Sequence, residues 1–125
     1  MAAAGPQNGV VEASDAAPVL DREQLKDITL DDDELMREVL SALIQDTSQQ
    51  LALLDAAIRE QDSNKCMRLA HYSKGACANV GATRAAAVLK RMEQHAARAD
   101  FADCTQSLET LVAELDQLRQ EAAVL

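Results

Sequence analysis

Ser63-Asn64-Lys65-Cys66-Met67-Arg68-Leu69-Ala70-His71-Tyr72-Ser73-Lys74-Gly75-Ala76-Cys77-Ala78-Asn79-Val80-Gly81 is the stretch on which the reading of this chain turns. It holds no proline, and its apolar residues recur at helical spacing. At about 100° per residue, Leu69, Ala70, Ser73, Ala76, Cys77 and Val80 gather on one side. His71 falls about 160° from the centre of that group, so the helix directs it toward water. Lys74 and Gly75 lie three and four residues on, beside His71 on the same surface, and Ala78 is a further turn along. A glycine inside a helix costs roughly 1 kcal/mol relative to alanine. Gly75 therefore reads either as a tolerated glycine beside a chance exposed histidine or as clearance kept beside a working imidazole. Imidazole is a nucleophile near neutral pH and can form a covalent intermediate. A phosphoryl group on it would need a counter-charge, and Lys74 is spaced to supply one.

Ser63 reads as the cap of this helix, over roughly 63–79, and Gly81 as its left-handed terminator. Four more helices are expected around it. One is short, roughly 20–29, capped by Asp21 and carrying Leu20, Leu25 and Ile28. One is long, roughly 32–61, with Met36, Leu40, Leu43, Leu54 and Ile58 in phase. The run Asp46-Thr47-Ser48-Gln49-Gln50 has capping character, but the spacing passes through Thr47 and Leu51 without a reset. The fourth, roughly 82–99, has Leu89, Met92 and Ala96 in phase. The fifth, roughly 101–122, steps through Phe101, Cys104, Leu108, Leu111, Leu115 and Leu118. Very short loops between the four longer helices make neighbours antiparallel. The expected fold is all-α: an up-down antiparallel four-helix bundle with a short extra N-terminal helix. Residues 1–19 read as a flexible tail or linker and 20–125 as the bundle domain.

Composition narrows the function. The 125 residues hold one tyrosine, one phenylalanine and no tryptophan, and the two prolines both lie before residue 19. The net charge of −9 argues against nucleic acid as a partner. The charge is uneven, however. Residues 59–98 carry eight Lys or Arg against Glu60, Asp62 and Glu93. That basic stretch, Arg68 included, reads either as a set of solvated helix faces or as a patch suited to an acidic partner pocket. Three cysteines (Cys66, Cys77 and Cys104), without CxxC spacing, read as buried free thiols in a reducing cytoplasm. There is no apolar run of membrane-spanning length and no signal-peptide pattern, so no membrane contact is expected. No phosphate-binding glycine loop or HExxH motif occurs, so no nucleotide site and no metal site are expected. His95 reads as a boundary residue of the fourth helix.

The run Ala70-His71-Tyr72-Ser73-Lys74-Gly75-Ala76-Cys77-Ala78-Asn79-Val80-Gly81-Ala82 resembles the signature of the histidine phosphotransfer (HPt) family, A-H-x-L-K-G-x-(small)-x-x-x-G-A. Leu89 and Met92-Glu93 follow at matching distance. The resemblance implies that His71 is the phosphoacceptor of a phosphorelay and that Lys74 orients or neutralises the phosphoryl group. It implies a partner-docking surface, for which Gly75, Arg68 and Ala78 are the candidates, and an approach of Glu93 from the neighbouring helix. It implies receiver domains and a sensor or hybrid kinase as partners. The chain would have no cofactor of its own, and Mg²⁺ would sit in the receiver. A phosphocarrier rather than a stand-alone enzyme is expected, cytoplasmic and monomeric. Ser73 stands where the family commonly has Leu, Ala85 where it has a larger apolar residue, and Leu43 where it often has Phe. These departures thin the core. They leave open a non-catalytic helical adaptor that binds a receiver or kinase without phosphotransfer. A fragment of a chemotaxis-type kinase is a further alternative. Both a free-standing protein and the last domain of a hybrid kinase fit the sequence.

Overall fold

The computed structural model describes residues 17–125. Of the expected tail, residues 1–16 lie outside the described residues. Five helices follow: α1 (Arg22–Ile28), α2 (Asp33–Arg59), α3 (Ser63–Val80), α4 (Thr83–Ala97) and α5 (Phe101–Ala123). No strand occurs among the described residues. Aspartates start the first three helices. Asp21, Asp32 and Asp62 accept hydrogen bonds from the backbone N–H groups of Gln24, Leu35 and Lys65. Each satisfies one of the donors that a helix start leaves unpaired. The cap of α3 is thus Asp62, and Ser63 is its first helical residue, a correction of one position. An aspartate directly before the serine takes the cap with its charged oxygen, at the positive end of the helix.

The long helix α2 runs through Asp46–Gln50 without a break, as the unreset spacing implied. Junctions at 60–62, 81–82 and 98–100 reverse the chain between the long helices. All three close by the same device. The N–H of Asp62, Ala82 and Asp100 returns to the carbonyl of Ala57, Cys77 and His95, at 3.0, 2.9 and 2.9 Å. The residue before each is left-handed: Gln61 (φ 55°), Gly81 (φ 94°) and Ala99 (φ 58°). This is the Schellman ending. Two of the three turns do without glycine. Gly81 differs because a Cβ there would lie 2.8 Å from the Asp21 carbonyl oxygen.

Each long helix packs on two others: α2 on α3 and α5, and α4 on α3 and α5. The core is aliphatic, with Leu25, Leu40, Leu54, Leu89, Met92, Leu111, Leu115 and Leu118 all under 2% exposed. Each such side chain contributes roughly 2 kcal/mol of burial. The expected stripe of α5 is present, with Phe101 and Leu108 partly buried at its edge. Helix α1 lies against one end of α3. The Asp21 N–H donates to the Gly81 carbonyl at 2.7 Å, and Gln24 Nε2 donates to the Ala78 carbonyl at 2.6 Å. The free carbonyls at the C-terminus of α3 are thereby partnered. Arg22 pairs with Glu121 of α5, and Val19 and Leu20 pack on the core. All three thiols are buried and free. No helix among the described residues is long and apolar enough to cross a membrane.

Candidate functional site

Helix α3 turns Cys66, Ala70, Ser73 and Cys77 into the core. The opposite crest is therefore exposed, and His71 stands on it with 69% of its side chain open to solvent. Its Nδ1 lies 3.1 Å from Oε2 of Glu93, which α4 brings alongside. The other oxygen of the same carboxylate, Oε1, accepts from Lys74 Nζ at 2.8 Å. One glutamate thus joins the two residues that the α3 pattern singled out.

The Lys74 ammonium is the main cause holding the Glu93 carboxyl below its ordinary range. Burial opposes this, and His71 adds to the lowering. An ionised carboxylate only accepts hydrogen bonds. In the neutral ring Nδ1 of His71 therefore carries the hydrogen, which leaves the lone pair on Nε2. The site is an oriented imidazole with a free nucleophilic nitrogen and a negative charge behind the ring.

Gly75 lies one turn further along α3. A Cβ built there meets nothing within 4 Å. No atom among the described residues needs the glycine. Arg68 and Ala78 are both exposed on the same crest. Lys90 was not picked out from sequence. It lines a depression of about 300 Å³ beside the site together with Met67, Lys74, Glu93, Gln94 and Ala97. Tyr72 was also passed over. It is 55% exposed, and its hydroxyl donates to Asp46 Oδ2 on α2 at 3.2 Å. An aromatic ring on the outer side of a helix was the available signal.

The bundle sorts its charge by layer. Helices α3 and α4 carry Lys65, Arg68, Lys74, Arg84, Lys90 and Arg91 against Glu93 alone. Helices α2 and α5 carry ten acidic residues against Arg37, Arg59 and Arg119. Six of the eight basic residues of the stretch thus lie on the α3–α4 side of the bundle, where His71 stands. Elsewhere, Arg84 reaches across to α5 and pairs through Nη2 with the buried Glu114 at 2.8 Å. His95 is partly buried where α4 meets α5, with the Arg98 guanidinium 3.2 Å from its Nδ1. A groove of about 610 Å³ between α2 and α5, lined by Ser41, Ile44, Gln45, Ser48, Gln49, Arg119 and Ala122, contains none of the expected site residues.

Comparison with known proteins agrees with this architecture. The crystal structure of histidine-containing phosphotransfer protein B (HptB) from Pseudomonas aeruginosa PAO1 superposes with a TM-score of 0.76 at 24% identity, covering 88% of this chain and 99% of that one. A rice protein described as a histidine-containing phosphotransfer protein gives a TM-score of 0.76 at 17% identity, covering 91% of this chain and 84% of the other. At such identities the likeness is one of fold. No curated protein matches the chain. The family model of the Hpt domain matches residues 38–121, a span from within α2 to near the end of α5 that includes His71, Lys74, Gly75 and Glu93. With that match over most of its length, the chain belongs to the Hpt domain family, the phosphotransfer proteins of phosphorelays.

Proposed function

We propose that His71 takes a phosphoryl group from the phosphorylated aspartate of a receiver domain, or from a kinase, and passes it to another receiver. The lone pair on Nε2 attacks phosphorus, the P–N bond forms, and the P–O bond to the aspartate breaks. The aspartate leaves as a carboxylate. No proton needs to move, because Nδ1 keeps its hydrogen and the ring takes up a positive charge. Glu93 faces that charge at 3.1 Å and stabilises it as it develops. Lys74 is close enough to turn from Glu93 to the phosphoryl oxygens, where an ammonium offsets added negative charge. Mg²⁺ is expected in the receiver, beside its aspartate. The exposed crest at Gly75, Arg68 and Ala78 is where the receiver would dock, and the basic layer suits an acidic active-site rim.

The observation that carries this reading is the paired contact of one carboxylate with His71 Nδ1 and Lys74 Nζ. The test is incubation with a panel of purified, phosphorylated receiver domains, scoring acid-labile, base-stable label on the chain. Wild type is expected to take up label and His71→Gln to take up none. Equal labelling of the two proteins by every receiver would defeat the proposal.

A further inference from the structure

Tyr72 follows the phosphoacceptor directly, yet the two side chains part. Neighbours in a helix point about 100° apart and do not face each other. His71 leans to α4, where it meets Glu93, and Tyr72 leans to α2, where it meets Asp46. Each is held by a carboxylate on a different flanking helix. On the wheel, Arg68 and Gly75 fall between them, one on either side along the axis. All four residues are exposed. The absent side chain of Gly75 therefore leaves a notch with the imidazole on one side and the phenol ring on the other.

Among the described residues, the phenol is the one exposed large apolar group on α3 or α4; Leu53 and Val112 are half exposed on α2 and α5. Tyr72 is the chain's one tyrosine. Its hydroxyl is committed to Asp46, and that carboxylate raises the phenol's pKa. The ring is thus positioned before any partner arrives, and it offers its apolar faces rather than its hydroxyl. A pre-ordered aromatic loses little freedom on binding and is the kind of residue that dominates an interface.

We infer that Tyr72, held by Asp46, is an anchor of the docking surface, packing against an aliphatic side chain that borders the receiver's aspartate while the receiver backbone enters the notch over Gly75. The inference rests on the phosphorelay reading above and assigns a second contact point to the same face. Arg68, between the two anchors, meets the acidic rim. Tyr72 touches no reacting atom in this arrangement. It sets affinity and partner choice, and the chemistry at Nε2 proceeds without it.

The experiment compares Tyr72→Ala, Tyr72→Phe and Asp46→Asn with wild type. Binding to the receiver domains is measured by titration calorimetry, transfer by the receiver-concentration dependence of labelling, and intrinsic reactivity by labelling of His71 with potassium phosphoramidate, which requires no docking. Tyr72→Ala is expected to weaken receiver binding at least about tenfold, the scale of an interface anchor, and to raise the receiver concentration for half-maximal transfer by the same factor. Phosphoramidate labelling should stay at the wild-type rate. Tyr72→Phe, which keeps the ring and loses the tether, should fall between wild type and Tyr72→Ala, and Asp46→Asn, whose amide oxygen still accepts from the phenol, should fall between wild type and Tyr72→Phe. Unchanged receiver affinity in Tyr72→Ala overturns the inference and leaves the phosphorelay reading standing. Slower phosphoramidate labelling in Tyr72→Ala also overturns it, since the ring would then act on His71 itself. Binding to a receiver without transfer refutes the phosphorelay reading alone, and the affinities still decide Tyr72. Failure of wild type to bind any receiver overturns both.

Discussion

The Glu93 carboxylate lies 3.1 Å from Nδ1 of His71, across the interface of two helices and 22 residues away in the chain. This contact selects the tautomer that exposes Nε2. The same carboxylate accepts from Lys74, so its charge is already balanced before any phosphoryl group arrives. Replacing Glu93 with Gln removes the charge and keeps the shape. A hydrogen bond to a charged group contributes roughly 1.5–3 kcal/mol, so phosphoryl uptake by Glu93→Gln should slow about tenfold or more. Receiver affinity should hold within about twofold, roughly 0.4 kcal/mol, because Glu93 is not among the proposed docking residues Arg68, Gly75 and Ala78. Stopped-flow or quench-flow transfer beside calorimetric titration separates the two quantities.

Gly75 should show opposite effects on stability and function. Its Cβ position is empty among the described residues, so Gly75→Ala is expected to stabilise the isolated domain by about 0.5–1 kcal/mol through helix propensity. Transfer from a receiver should decline. Urea melts and transfer assays on the same protein check both signs, and a loss of stability would show that the glycine serves the bundle instead.

Gly81 should be intolerant where Gln61 and Ala99 are not. All three are left-handed, but only at Gly81 does a neighbouring segment sit where a Cβ would be, with the Asp21 carbonyl at 2.8 Å. Gly81→Ala should cost about 1–3 kcal/mol and loosen α1, because the Asp21–Gly81 hydrogen bond shares the contact. Hydrogen exchange at the Asp21 and Leu25 amides should accelerate more than exchange in the middle of α3.

Arg84 and Glu114 should behave as a coupled pair. Glu114 is 8% exposed, and its carboxylate is met by both Nε and Nη2 of Arg84. Arg84→Met leaves that charge buried without a partner and should cost roughly 3 kcal/mol. Adding Glu114→Leu should recover most of the loss, since an apolar pair of similar volume avoids the desolvation cost. Denaturant midpoints of the two single variants and the double variant close the cycle.

The thiols predict a pH dependence of stability. Burial is the leading cause raising all three, with Cys77 pushed up to about 11 and Cys104 to about 12. In the unfolded chain a cysteine ionises near 8.5. Below that pH both states hold the proton and stability is unaffected. Above it the unfolded state sheds protons that the folded state retains, so stability falls as pH rises from about 8.5 toward the folded values. Glu93 acts at the other end. Its lowered pKa gives a contribution present above the ordinary carboxylate range and lost as pH falls through the folded value. Urea titrations from pH 3 to 10 should show both declines, and Cys77→Ala should reduce the alkaline one. Native thiols should react with Ellman's reagent only as fast as the protein opens.

Much of the fold can be read from single helices. The apolar phase of α3 places Ala70, Ser73 and Cys77 inside and His71 outside, and the structure agrees. The unreset spacing through Thr47 and Leu51 identifies α2 as one helix, and Gly81 marks the end of α3. These are local matters, decided within about four residues by helical geometry and by what each side chain does at a helix end. The cap of α3 shifted by one residue for an equally local reason, since Asp62 and Ser63 compete for one position.

What lies between helices was legible only in part. The resemblance in sequence raised Glu93 as a neighbour of His71, but not its double engagement with His71 and Lys74. Tyr72 gave no sign of its tie to Asp46, because that depends on how α2 is rotated against α3. The basic stretch of residues 59–98 became a face only when α4 was laid beside α3, opposite α2 and α5. By itself the sequence determined which residues are helical, which side of each helix is apolar, and that one imidazole stands clear of the core beside a lysine and a glycine. The tertiary structure alone decided which carboxylate meets which side chain. Contacts across a helix pair follow from rotation and register, and these are set by packing of the whole core and by the turns rather than by periodicity within any one helix.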